Sequence, residues 1–331
     1  MKPLRIFTWH VHGNYLYYLS QTPHELYLPV GKSGIGYAGA APGFPWPTRV
    51  HDVPIEEIHR LDVDVILYQS RSHYLRDQYD ILSDRQRRLP AVFLEHDPPQ
   101  EHPTNTRHVV DDPTMLLVHV TPFNELMWDN GQTPTTVIEH GVVVPDDVRY
   151  TGESAKGLVV VNGLRRRGRR LGADVFERVR REVPLDLAGM ESEELGGLGE
   201  ISHEALPALM CRYRFLFNPI RYTSLGLSVC EAMALGVPIV GLATTEMATL
   251  ADQGGPGYVH TDIRKLIGYM QRLLSDPLEA QRLSIETRRE GRRRFNIARF
   301  IDDWNAALAA AVRRGRTAQE RPRRLEPLLA G

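Results

Sequence analysis

Four groups of side chains have types and spacings that could do chemistry. The first is Glu231, which follows Gly226 within the run from Phe215 to Met247. A glycine opening a helix leaves backbone amides free beside the positive end of the helix dipole, a combination that suits a phosphate. A carboxylate one to two turns further in could accept two hydroxyl hydrogen bonds, as a ribose offers them. The second group is His96-Asp97, held at the end of an apolar run by Pro98-Pro99. Chemistry concentrates on such loops, although His96 alone reads equally well as a plain loop histidine. The third is Arg165, Arg166, Arg167, Arg169 and Arg170. Such a run is usually a solvated charged face. Placed directly after a strand, it could chelate a diphosphate through paired guanidinium donors. The fourth is His10, His12, Gly13 and Asn14 at the end of the first strand. His10 and His12 share a face and could ligate a metal, but no third ligand is near in sequence, and two histidines rarely make a site.

These residues need elements to hold them. Phe215–Asn218 reads as a short apolar strand closed by Pro219. A polar loop follows, then Leu227–Leu235 carries apolar residues at helical spacing and Gly236 ends it. Val237–Leu242 is a second strand of buried type. Strand, helix and strand with short links belong to a parallel sheet, whose ligands lie at the carboxyl ends of the strands. Leu4–Val11 repeats the pattern, ending at His12-Gly13-Asn14 before Tyr15, Leu16, Tyr18 and Leu19 at helix-like spacing. Further strands are predicted at Val63–Gln69, Ala91–Leu94, Leu116–Val120, Leu158–Val161, Leu185–Gly189 and Tyr258–Val259. Ser70–Arg88 reads as a polar helical region. Helices are predicted over Ala173–Glu182, Glu204–Cys211, Asp262–Leu274, Glu279–Arg294 and Phe295–Val312. The last places Phe300, Ile301, Trp304 and Leu308 on one face. Thr244-Thr245-Glu246 follows a strand end, so Glu246 is either at a site's edge or simply a carboxylate at a helix N-terminus. Residues 31–47, rich in Gly and Pro, read as a flexible loop. Gly31-Lys32-Ser33 lacks the earlier glycine of a phosphate-binding P-loop, because position 26 is Leu26.

The chain has 331 residues, 42% hydrophobic and 24% charged, with a formal net charge of −1. These values describe a soluble globular protein with room for two domains. They give no electrostatic case for a nucleic acid partner. No apolar run is long enough to predict a transmembrane helix, which leaves peripheral contact as the membrane partnership still open. Cys211 and Cys230 fall in apolar stretches without a C-x-x-C pattern. That argues against zinc or a disulfide framework and points to a reducing, cytoplasmic setting. Residues 145–157 read as an interdomain linker, and the Arg/Pro/Glu-rich residues 315–331 as disordered.

Gly226-Leu227, Glu231-Ala232-Met233-Ala234, Gly236 and Pro238-Ile239-Val240 resemble the signature of the retaining glycosyltransferases of the GT-B fold, in particular glycosyltransferase family four (group 1). Thr223 stands eight positions before Glu231, where that signature has its first Glu, the one that touches the donor sugar. Val137-Ile138-Glu139-His140-Gly141-Val142 looks like the segment that closes the first domain in the family. The resemblance is strongest over about residues 155–310.

It implies an α/β architecture of two facing Rossmann-like domains with parallel sheets. Residues 1–145 would form the acceptor-side domain and 155–296 the nucleotide-sugar-binding domain, with a helix at 297–314 returning to the first. The implied reaction moves a sugar from a nucleotide-diphosphate sugar to a carbohydrate or other hydroxyl acceptor, with retention. It would need no cofactor, arginines and a helix dipole standing in for a metal. His96 would contact the sugar, and Asp97 would orient His96 or contact the acceptor. Glu231 would bind the ribose. The amides of Gly226 and Leu227, with Gly13 across the cleft, would meet the diphosphate, and Thr223 and Glu246 would complete the donor side. In the family a Gly-Arg and a later Arg-Lys-Gly bind the pyrophosphate. Arg165 and Arg170 are the expected counterparts, with Arg169 the competitor. His12 and Asn14 would face the acceptor, and residues 191–200 would frame the nucleobase. Rival readings are a nucleotide-sugar epimerase or inverting transferase of the same fold, and a non-catalytic nucleotide- or carbohydrate-binding relative.

Overall fold

The computed structural model describes residues 2–254 and 257–320. Its first sheet contains β1 (Arg5–Thr8), β2 (Glu25–Val30), β3 (Val50–Pro54), β4 (Val65–Tyr68), β5 (Ala91–Glu95), β6 (Leu116–His119) and β7 (Thr135–Val137). The second contains β8 (Ser154–Val160), β9 (Leu185–Ala188), β10 (Tyr213–Asn218), β11 (Ile239–Leu242) and β12 (Gly257–His260). The strand orders are β3-β2-β1-β4-β5-β6-β7 and β12-β11-β10-β8-β9, and every neighbouring pair is parallel. The chain therefore has the GT-B architecture of two Rossmann-like domains. In β4, β6, β10 and β11 every residue is buried, as parallel sheets covered on both faces require.

The sequence pattern does not reveal β2 and β3. Pro29 and a half-polar alternation mask them, and β3 is an edge strand, where partial burial suffices and proline is tolerated. β8 starts at Ser154, so the stretch expected as linker is partly strand, its polar start paired with Tyr213.

The helices of the first domain are α1 (Gly13–Leu19), the short α2 (Ile55–Ile58) and α3 (Gln78–Ile81), and α4 (Pro122–Met127). The second domain holds α5 (Leu164–Leu171), α6 (Ala173–Val179), α7 (Leu206–Arg212), α8 (Leu227–Leu235), α9 (Ile263–Ser275) and α10 (Pro277–Arg294). The arginine run, for which the sequence pattern predicts no element, is helical: it is α5, broken by Gly168 at φ 57° and ψ −137°. α8 is buried on nearly every side, from Val229 through Leu235. Helix α10 lies against it so closely that a Cβ on Gly291 would come within 2.3 Å of the Met233 backbone.

α11 (Ile297–Glu320) ends the described chain. It packs on α1, β5 and β6 of the first domain, burying Phe300, Trp304 and Leu308, and the Trp304 indole donates to the Tyr15 hydroxyl at 3.2 Å. The helix continues past residue 314, so residues 315–320, expected as disordered, are helical. The rest of the expected tail, 321–331, lies outside the described residues. The junction between the domains is tied by the Val142 amide to the Phe295 carbonyl and by Arg299 to the carbonyls of Glu139 and His140.

Candidate active site

Strand order reverses between β1 and β4 in one sheet and between β8 and β10 in the other. Crevices form at such switch points, at the carboxyl ends of the strands. A cavity of about 430 Å³ opens there, with both domains in its wall. His12, Gly13 and Asn14 follow β1. Asn162 and Arg167 follow β8, and Thr223, Gly226, Leu227, Ser228 and Glu231 follow β10.

Glu231 lies in this wall at 5% exposure. Its Oε1 accepts from Asn14 Nδ2 at 3.0 Å and from the Tyr18 hydroxyl at 2.7 Å, both on α1 of the opposite domain. Burial raises its carboxyl above the usual 4.5, and the Tyr18 and Asn14 hydrogen bonds only partly oppose that. Burial, with the carboxylate beside it, keeps the Tyr18 hydroxyl protonated far above its usual 10, so it remains a donor. Asn14 and Tyr18 are one helical turn apart and share a face of α1. That spacing is the signal that could have found Tyr18, which the sequence reading notes only for its helix-like spacing.

Gly226 is the N-cap of α8, and no side chain caps that end. The first-turn amides of Leu227 and Ser228 therefore stand at the cavity wall as unpaired helix donors. The preceding loop is held from the first domain at two points. The buried His140 ring donates from Nε2 to the Leu225 carbonyl at 2.9 Å. Thr223 Oγ1 donates to Asp97 Oδ1 at 3.0 Å. Burial lowers the His140 pKa to about 4, so that imidazole is neutral in its contact.

The cavity's arginine is Arg167, which the sequence reading passes over. The break at Gly168 ends the first turn of α5 beside it and leaves its side chain in the wall. The signal was present: Arg166-Arg167-Gly168 has the form of the Arg-Lys-Gly triplet. The expected Arg165 is exposed instead and donates to the Glu194 carbonyl at 3.2 Å. Arg169 pairs with Asp174. Arg170 lies past the break, its carbonyl receiving the amides of Arg221 and Tyr222, outside the cavity lining but close enough to repel Arg167. Burial and that repulsion lower the Arg167 pKa from 12.5, and Asp97 opposes them.

His96 stands behind His12. Its ring lies edge-on to His12 at 4.2 Å and to Tyr15 at 4.8 Å. Gln69 Nε2 donates to the Trp9 carbonyl at 2.7 Å and to Thr8 Oγ1 at 2.8 Å. Gln69 therefore presents Oε1 to His96 Nε2 at 3.1 Å, which makes that nitrogen the donor. Burial, with His12 and His140 nearby, holds His96 neutral, well below 6.5. His12, rather than the expected His96, lines the cavity. Enclosure also lowers the His12 pKa, an effect Asp97 opposes and Arg167 and His10 reinforce.

Glu246 departs from expectation in place as well as role. It is 2% exposed at the domain junction and accepts from Arg294 at 2.7 Å. Arg294 also grips Glu139 at 2.6 Å. Glu246 is absent from the cavity wall, and its charge is matched by Arg294 at the junction. His10 bonds the Gly39 carbonyl at 2.5 Å, and no group of three or more His, Cys, Asp or Glu side chains among the described residues could hold a metal ion. No helix among the described residues is long and apolar enough to cross a membrane.

Comparison with known proteins follows the same division. Residues 156–276 match the family model for glycosyl transferases group 1. No curated protein sequence matches the chain. Among solved structures, sucrose-phosphate synthase from Thermosynechococcus elongatus superposes with a TM-score of 0.62 at 16% identity, covering 96% of this chain and 98% of that one. AviGT4, a glycosyltransferase involved in avilamycin A biosynthesis, gives 0.60 at 16%, covering 94% and 98%. HepE from Anabaena, solved with UDP and glucose, gives 0.65 at 12%, covering 92% and 99%. At these identities the likeness establishes a shared fold.

Proposed function

We propose that this chain, which has the GT-B fold and matches the family model for glycosyl transferases group 1 over residues 156–276, transfers a sugar, with retention, from a nucleotide-diphosphate sugar to a hydroxyl acceptor. The observation that carries this reading is one cavity wall bearing Glu231, the uncapped start of α8 and Arg167 together. A nucleoside diphosphate presents complementary groups: a ribose diol for the carboxylate, and phosphate oxygens for amides and guanidinium.

The donor lies against the second domain. Glu231 accepts the ribose hydroxyls. The Leu227 and Ser228 amides and Arg167 bind the diphosphate and take up the negative charge that grows on it as the glycosidic bond breaks. Electrostatic stabilisation of this kind, set up before the reaction, is a large part of catalysis. The chain's own positive groups perform the task a metal performs elsewhere, so transfer proceeds without one. The acceptor hydroxyl attacks an oxocarbenium-like centre from the face the diphosphate leaves and gives its proton to the departing phosphate oxygen. Asn14 and Tyr18 reach Glu231 from α1, so donor binding and domain closure share one carboxylate, and closure excludes water. The setting is cytoplasmic, consistent with buried, unpaired Cys211 and Cys230.

The test is a thermal-shift screen across UDP, GDP, ADP and dTDP and their sugars, UDP first because HepE was solved with it. A nucleotide at 100 times its dissociation constant should add about 2.7 kcal/mol. If none of the four raises the melting temperature, the transferase reading fails.

A further inference from the structure

Asp97 has the marks of a built position. Its amide donates to Glu95 Oε1 at 3.0 Å, and its carbonyl accepts from the Trp128 indole at 2.9 Å. Two buried prolines, Pro98 and Pro99, follow it. The backbone is thus held before, at and after the residue, which fixes the direction in which its Cβ leaves the chain. That carboxylate meets the second domain through the Thr223 hydroxyl at 3.0 Å on Oδ1. Among the described residues no hydrogen bond to Oδ2 is recorded. His12 and Arg167, both in the cavity wall, each feel its charge. Asp97 does not itself line the cavity; its carboxylate, with one oxygen unspent, meets the cavity wall at Thr223.

Resting on the transferase reading above, we infer that Asp97 is the carboxylate that grips hydroxyls of the transferred sugar, supplied from across the cleft and positioned by Thr223. The placement follows from what lies on either side. Arg167 and the α8 amides occupy the diphosphate end, and His12 and Gly13 the first-domain wall. The sugar is the donor part that extends from the diphosphate toward that wall. An ionised carboxylate accepts only, so it selects hydroxyls, and its two oxygens can take two neighbouring ones. Thr223 is a positioning residue: its single donor orients Oδ1 and leaves Oδ2 for the sugar. Because Asp97 and Thr223 belong to different domains, the sugar is gripped only when the cleft is closed.

The experiment measures, by calorimetry on the full chain, affinity for a nucleoside diphosphate and for the same nucleotide carrying a sugar. The probes are UDP with UDP-glucose, GDP with GDP-mannose, ADP with ADP-glucose and dTDP with dTDP-glucose. Asp97→Asn keeps the shape and removes the charge. It should lower the ratio of sugar-nucleotide to nucleotide affinity tenfold or more, while affinity for the bare nucleotide holds or tightens, since a negative charge near the phosphates is gone. Thr223→Val should lower the same ratio several-fold and Thr223→Ser should restore it, which a merely structural role for the side chain would not do. An unchanged ratio in Asp97→Asn overturns the inference and leaves the transferase reading standing. Failure of the wild-type chain to bind any of the four bare nucleotides overturns that reading, and this inference with it.

Discussion

Two buried carboxylates lie where the halves of this molecule meet, and they are held in opposite ways. Glu246 is matched by a full charge: Arg294 bonds it and Glu139 together, and also reaches Thr249 Oγ1 at 2.8 Å. Glu231 has only neutral partners, the Asn14 amide and the Tyr18 hydroxyl, both on Oε1. A carboxylate paired with a guanidinium has its charge spent on holding the junction. One that is buried with neutral donors keeps an unmatched charge beside a cavity, a poise associated with functional sites. The comparison teaches that burial of a carboxylate is not a sign of function until its partners are known.

Substitutions can break or sharpen this contrast. The largest effect is expected from Arg294→Ala, which strands Glu139 and Glu246. Removing one partner of a buried pair costs about 3–5 kcal/mol, read as a lower denaturant midpoint with unchanged slope. Glu231→Ala should cost less stability than that but weaken nucleotide binding about 10- to 100-fold, since hydrogen bonds to charged groups contribute about 1.5–3 kcal/mol. A larger stability loss for Glu231→Ala than for Arg294→Ala would collapse the distinction. Next comes Arg167→Ala, expected to weaken nucleoside diphosphate binding roughly tenfold and to flatten its salt dependence. Arg165→Ala should leave titration curves superimposable on wild type.

The smallest effect is in pH dependence. Burial raises the folded carboxyl of Glu231 above its ordinary 4.5, so the folded chain holds that proton to higher pH than the unfolded chain. Its contribution to stability therefore declines as pH rises from 4.5 through the raised value. Glu231→Gln removes that slope, and the variant should gain on wild type as pH rises through this window. Chemical denaturation from acid to neutral pH measures the difference. A variant that loses ground instead would mean that Glu231 is charge-paired after all.

Much of this was legible in the chain. The apolar strands β1, β4, β6 and β10 and the helix α8 declare themselves by run length and spacing, because burial on both faces demands it. Phe300, Trp304 and Leu308 mark one face of α11. The strand ends placed Glu231, Gly226, His12 and Gly13 beside a crevice, since ligands of open α/β sheets lie at carboxyl ends. Spacing alone favours Arg165 and Arg170 over Arg167, because it cannot show where a helix breaks. Gly168, at φ 57°, decides which guanidinium enters the cavity.

The sequence by itself determined the parallel α/β character of the chain and put Gly226, Leu227 and Glu231 at a strand's carboxyl end, because these follow from local periodicity and short connections. Only the tertiary structure decided which partners meet across the cleft. Tyr18 and Asn14 reach Glu231, Asp97 reaches Thr223, and Arg294 reaches Glu139. Those pairs are separated by 126 to 217 positions in the chain. Contacts of that reach depend on how two domains dock, and no pattern of neighbouring residues encodes it.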